Sequence, residues 1–447
     1  MIQLSHKYFG LAFLVLFSSA FRPTNVFAQQ QIITYYDSLH LVVKTVYFIK
    51  NGDSTLIDGP FKKFHPSGKL EAQGNFVLGK QQGPFTEYYE NGQVSRQINF
   101  DQGMKEGPVE VFDDAGKIVQ KAQYRNDTLT GKLVVYFEDG SIKNESDFVK
   151  GKPDGLVTEY YKGGIVKQEI SYKDGRPNGP TRSFYENGKL RTEAMLSNGQ
   201  LNGYFRTFYP NGQLETAYEN ANGQKTGAYK TYNPEGVLIL QGNYSNGKQH
   251  GDNTSWYDNG AKKSLLHFDN GNMVGENVYY HENGAKARVS NYSDSENKET
   301  RREYDESGQL AAEKYFVAKK PDGKWTYFYP GNRVKGTEQY ANGKRNGKTL
   351  NYFESGAIMA EVNYQNDLIL DVSKEYYENG TIKSETYYKF GRKHGPYKEW
   401  FDNEKIKLEG QFAGNKQVGD WKYFDEAGNL LKTEKYENDK LVNTTEN

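Results

Sequence analysis

The chain has 447 residues, with 57 Lys plus Arg against 57 Asp plus Glu, 47 Gly, 36 Tyr, 25 Phe and no Cys. The even charge excludes strong attraction to nucleic acid or an anionic membrane, and the lack of Cys excludes disulfides, thiolate zinc sites, Cys nucleophiles and a lipid-modified cysteine at a signal junction. Only 36% of residues are hydrophobic, many of them Tyr, which excludes a large aliphatic core. The wealth of aromatics and glycines excludes simple disorder and fits many short strands joined by turns.

The first 28 residues read as an export signal. MIQLSHK carries one Lys, YFGLAFLVLFSSAF is apolar, and Val26 and Ala28 are small residues ahead of a cut before Gln29. The run from Tyr8 to Phe21 is too short for the roughly 20 residues of a membrane span, so no transmembrane segment is expected once the signal is removed. Loss of Lys7 and Arg22 leaves 55 basic against 57 acidic residues, a formal charge of −2. Residues 29–58 follow as a degenerate N-terminal hairpin or cap: YYDSLHLVVKTVYF is an eroded hairpin and NGDSTLIDG a longer loop.

From residue 59 to 436 a single phase governs the chain. Steps of 24 residues from Gly68 reach Gly92, Gly116, Gly140 and every further position to Gly428, with Asn332 and Glu404 standing in for glycine. Four residues before each phased position is an aromatic: Phe64, Tyr88, Phe112, Tyr136, Tyr160, Phe184, Phe208, Tyr232, Trp256, Tyr280, Tyr304, Phe328, Tyr352, Tyr376, Trp400 and Phe424. These sixteen are read as the structural core of the repeat. Two residues after the phased position stands Leu, Val or Ile, except at Lys262 and Lys286. A second aromatic lies eight after it, except at Leu196 and Asn220, and a second glycine series from Gly59 to Gly419 is interrupted by Glu299 and Asp371.

Each unit has room for two strands and two turns. Pro66, Pro210, Pro234 and Pro330 lie two before the phased position, where the fixed φ of proline suits position i+1 of a type I turn. The spacing therefore predicts a three-residue hairpin loop ending in a left-handed glycine, with Tyr88 paired to Val94 and Phe100 on the same side by alternation. The alternative is a two-residue type I′ loop, which pairs Tyr89 with Val94. One exposed aromatic face leaves a lone hairpin marginal, so copies must stack. The expected fold is all-β: tandem 24-residue hairpin repeats forming one long, twisted or coiled antiparallel sheet. Residues 437–447 complete the chain as a polar, frayed tail.

Units such as YYENGQVSRQINFDQGMKEGP and YYENGTIKSETYYKFGRKHGP resemble the MORN repeat, in the bacterial variant form found in proteins labelled YwqK-family antitoxins. That resemblance covers the sixteen units and implies a non-catalytic array that binds proteins or, in eukaryotic members, phospholipids. The antitoxin label implies a toxin partner.

Catalytic chemistry finds little support in the residues. GKRNGKT, residues 343–349, is one residue short of a phosphate loop, and its glycines belong to the repeat. His250 and His394 occupy equivalent turns six units apart, without metal-ligand spacing. No catalytic, cofactor-binding or metal-binding residue is assigned. Outside the core, Tyr89, Phe137, Tyr161, Tyr185, Tyr209, Tyr257, Tyr329, Phe353, Tyr377 and Phe401 form an outer aromatic row that offers broad area with polar tips to a partner. The main break in phase is SDSENKETRR, residues 293–302. The expectation is an exported protein, periplasmic, outer-surface or secreted in a bacterium, that binds a protein partner non-enzymatically and needs no cofactor. The alternatives are an antitoxin or immunity protein and a module that binds lipid or glycan surfaces.

Overall fold

The computed structural model describes residues 29–293 and 297–447, so the expected export signal and Ser295 lie outside the described residues. The described residues form two compact units, divided between residues 164 and 165. Within each unit the described residues form antiparallel strands paired in chain order, with no helix.

In the first unit, Gln29–Tyr35 pairs with Val43–Lys50, which pairs with Asp53–Phe64. The turn between the last two is tight: Lys50 pairs with Asp53 across left-handed Asn51 and Gly52. The long loop expected at NGDSTLIDG is thus a hairpin turn, because Asn-Gly takes the two positive φ values of a type I′ turn more readily than any other pair. In the second unit the expected frayed tail is a strand, Lys440–Glu446, paired with Leu430–Glu437 across left-handed Asn438 and Asp439.

The unit around Gly92 shows how the repeat works. The amide of Tyr89 donates to the Gln93 carbonyl at 2.8 Å, that of Gly92 to the Tyr89 carbonyl at 2.9 Å, and Gly92 has φ +90°. This is the expected three-residue loop, and Tyr88 pairs with Val94 as expected. The next pair is Glu87 with Arg96, which leaves Ser95 as an unpaired bulge residue. One extra residue shifts the alternation, so Phe100 does not share a side with Tyr88 and Val94. Phe100 packs its ring 5.8 Å from Phe85, while the Tyr88 hydroxyl meets Gln73 on the opposite face. All sixteen aromatics from Phe64 to Phe424 are half-buried. The most buried face is instead built from positions such as Phe85, Ile98, Phe100 and Val109.

The second turn has two residues, both left-handed, in units such as those with Gln102-Gly103 and Asn198-Gly199. A further bulge follows at the second glycine series: Ile98 pairs with Val109 and Phe100 with Lys105, and Gly107 has φ +93°.

Strands contact chiefly those before and after them in sequence. The core is therefore one side chain deep. Rings achieve burial by lying flat on their own sheet: Trp421, only 1% exposed, covers Gly410, and Phe85 covers Gly74. A Cβ on Gly410 would sit 2.3 Å from the indole, and one on Gly74 1.9 Å from the Phe85 ring. Gly410→Ala should therefore lift Trp421 off the sheet and cost about 1–3 kcal/mol, as overpacked sites do. Denaturant unfolding followed by indole fluorescence would measure it; an unchanged midpoint would refute this packing account.

Candidate functional site

The hairpin loops of successive units are tied together at one edge of the sheet. The Tyr89 hydroxyl donates to the Phe112 carbonyl 23 residues on, at 2.8 Å. Tyr185, Tyr209, Tyr257, Tyr329 and Tyr377 do the same to Phe208, Tyr232, Tyr280, Tyr352 and Trp400, at 2.7–3.0 Å. His65 and His281 take the same place, with Nε2 3.1 Å from the carbonyls of Tyr88 and Tyr304. Asn91 adds a second tie: its amide group donates to the Asp114 carbonyl, while its side-chain oxygen accepts from the Gln93 amide. Asn187 and Asn211 repeat both bonds.

The bulge residue completes this edge. Arg191, Lys263, Lys335 and Lys383 hold their charges 5.3–6.0 Å from the rings of Tyr185, Tyr257, Tyr329 and Tyr377. Lys143 and Lys407 do so over Phe137 and Phe401. Where the row carries an acid or amide, the side chain turns inward. Asp113 and Asp305 accept backbone amides of their own loops, as Asn233 does from Val237.

The ten rings expected to meet a partner are all half-buried. Six of their hydroxyls are engaged with the next unit as described, so the row acts first as an internal tie. The sequence signal for this was present: aromatics recur at a fixed place beside Asn-Gly, in phase with a carbonyl 23 residues later.

The break at residues 293–302 sits in the second unit, and it replaces a bulge with an ion pair. Lys286–Ser293 pairs with Lys298–Tyr304 without any register shift, and Glu299 stands where other units have the bulge glycine. Glu299 is 8% exposed and bonds the Arg301 guanidinium twice, at 2.8 and 3.1 Å. Burial pushes its carboxyl upward, but the hydrogen bonds from Arg301, the Ser290 hydroxyl and the charges of Arg301 and Arg288 together hold it below the ordinary range. Arg301 lies 4.3 Å from the Phe316 ring centre. Lys314 bridges Glu303 at 2.6 Å and stands 5.3 Å from the Trp325 ring centre.

Beside this strand pair the surface is hollowed. One hollow, about 680 Å³, is bordered by Ser293, Lys298, Glu313, Tyr315, Lys324 and Thr326. It shares Glu313 with a second of about 550 Å³ and Lys324 with a third of about 380 Å³ that reaches Gly356. Together they mix charged, hydroxyl and aromatic side chains. Among the described residues no cluster of His, Asp or Glu could hold a metal ion.

A model described as the MORN repeat variant matches residues 57–77, 81–102, 105–126, 153–174, 177–198, 201–218, 225–246, 300–318, 345–366, 372–390, 393–413 and 417–438, more than half of the chain. No curated protein matches it. Similar solved structures include TcdB2-TccC3-TEV, at 12% identity over 92% of this chain, and TcdB2-TccC3-Cdc42, at 11% over 92%, both with a TM-score of 0.14. A Photorhabdus luminescens Tc holotoxin pore with a mutated TccC3 follows, at 11% over 88% with a TM-score of 0.13. This chain spans 26%, 30% and 27% of those chains, and at such TM-scores the likeness bears on neither fold nor function.

Three variants test these arrangements. Tyr209→Phe removes one tie and should cost about 0.5–1.5 kcal/mol, seen as faster amide exchange in residues 208–214 and 232–238; unchanged exchange would contradict the tie. Glu299→Gln strands Arg301 and should cost about 3–5 kcal/mol at neutral pH. The Glu299 carboxyl lies below its ordinary 4.5 when folded, so its contribution is present above pH 4.5 and lost as pH falls through the folded value. The gap between wild type and variant should accordingly close in acid. Glu299→Gly combined with Arg301→Val, which restores the regular unit, should be neutral or stabilising; equal loss in all variants would refute the ion-pair account.

Proposed function

The chain belongs to the MORN repeat variant family and is a repeat scaffold, and from that premise we propose that it is an exported, non-enzymatic protein that binds a protein partner along the β surface of its second unit. The observation that carries this reading is the series of hollows between Asn291 and Gly356, which share lining residues from one hairpin to the next. Catalysis needs one enclosed cleft with convergent acid, base or nucleophile. A row of open depressions with mixed polar and aromatic borders suits an extended protein segment better, with Tyr315, Lys298 and Lys324 among its borders.

Export rests on residues 1–28, a single Lys ahead of an apolar run and a small-residue junction. The cysteine-free composition helps here, because the fold has no thiol to oxidise after crossing a membrane.

The same lack of Cys makes a clean test. A single cysteine at Thr326, in the hollow bordered by Tyr315 and Lys324, carrying a photo-crosslinker, should capture a protein partner in the host's envelope, whereas one at Thr254 outside it should not. Capture at neither position, or equally at both, would sink the proposal for this surface. Mass spectrometry of the chain recovered from the envelope should find Gln29 at its start; an intact chain confined to the cytoplasm would remove the export reading.

A further inference from the structure

The second turn of most units takes two left-handed residues, and its first position is usually polar: Gln102, Asn126, Lys150, Asp174, Asn198, Asn222, Asn246, Asn270 and Asn342. Leu78, Ala318 and Phe390 depart from that rule, and Phe390 is the bulkiest of the three. It holds φ +53°, a conformation that a bulky aromatic adopts only with strain, and it is 81% exposed. An exposed, strained ring contributes nothing to the core. Strain kept where no packing demands it points to a role outside the chain.

The surroundings extend the patch. Leu368 lies against the turn, since a Cβ on Gly391 would come within 3.0 Å of its Cδ2. Leu368, Leu370 and Tyr387 are all exposed apolar side chains. Asp371 pairs with Tyr388 and Val372 with Tyr387, which places Leu370, one residue outward of Asp371, at the end of the strand pair that leads to the Phe390 turn. Asp371, which takes the place of a phased glycine, keeps its positive φ and so preserves the bend at the base of the patch. Lys389 and Arg392 pair across the turn on either side of Phe390. The Lys389 ammonium lies 5.9 Å from the Phe390 ring centre.

An aromatic tip on a rigid hairpin, bordered by aliphatic side chains and rimmed with cations, has the make-up of a binding hot spot. The geometry points to Phe390 as the anchor of a protein-docking patch, formed with Leu368, Leu370 and Tyr387, that takes an acidic partner segment bearing an apolar side chain. Lys389 and Arg392 give the complementary charge. This rests on the protein-binding reading above and adds the chemistry of the partner.

The test is a random-peptide display library panned on the full chain and on Phe390→Asn, which substitutes the residue type favoured at this turn. Wild type should enrich peptides in which Asp or Glu flank an aromatic or branched aliphatic residue. The variant should bind those peptides about tenfold or more weakly while its melting temperature stays level or rises. Equal binding to both chains, enrichment without acidic residues, or no enrichment would overturn the assignment. So would Phe390-dependent sedimentation with phosphatidylserine–phosphatidylcholine vesicles in place of peptide binding. Peptides bound equally by both chains refute the patch alone, whereas the protein-binding reading falls only with the crosslinking experiment.

Discussion

The interaction on which the hairpin edge depends is a hydrogen bond from a loop tyrosine to a backbone carbonyl 23 residues later, repeated from Tyr89 to Tyr377. A carbonyl just outside a strand pair has no ladder partner, and leaving it unpaired away from water is costly. The phenol supplies the donor, the neighbouring Asn supplies a second, and the cation of the bulge residue covers the ring. Each requires the next unit to place its loop in the same position. The constancy of the 24-residue phase follows from that requirement.

A core one side chain deep makes the second demand. Rings cannot hide between layers, so they lie on glycine or small residues of the adjoining strand, as Trp421 lies on Gly410. This removes the aromatic from water and covers an otherwise bare stretch of backbone. Stability then accumulates between neighbours, as in other linear arrays. The buried Glu299–Arg301 pair departs from this scheme, since it brings charge where other units bring a ring or a small residue.

Much of this was legible in the sequence. The period, the three-residue loop with left-handed Gly92, and the pairing of Tyr88 with Val94 follow from proline and glycine spacing alone. The face assignment was not legible, because a bulge leaves no mark in composition: Ser95 is an ordinary strand residue, yet its insertion moves Phe100 to the opposite side from Tyr88. The left-handed turns at Asn198-Gly199 and Asn51-Gly52 use the same Asn-Gly pair that ends the three-residue loop, so the dipeptide alone does not tell the two turn types apart. The outer tyrosines pointed outward in pattern, but only three-dimensional stacking shows that their hydroxyls reach the following unit. The anomaly at residues 293–302 was visible as two missing glycines; that Glu299 would be buried against Arg301 was not, since burial depends on the lost bulge.

The loop tie also limits how such a chain can lengthen in evolution. Adding one residue between a phenol and its acceptor would put that pair out of reach of one another and reverse the faces of the strand that received it. Duplicating or deleting a whole 24-residue hairpin unit disturbs only the two seams beside it. Growth is thus quantised, and genes of this kind should differ among themselves by multiples of 72 nucleotides, three for each of the 24 residues in the period.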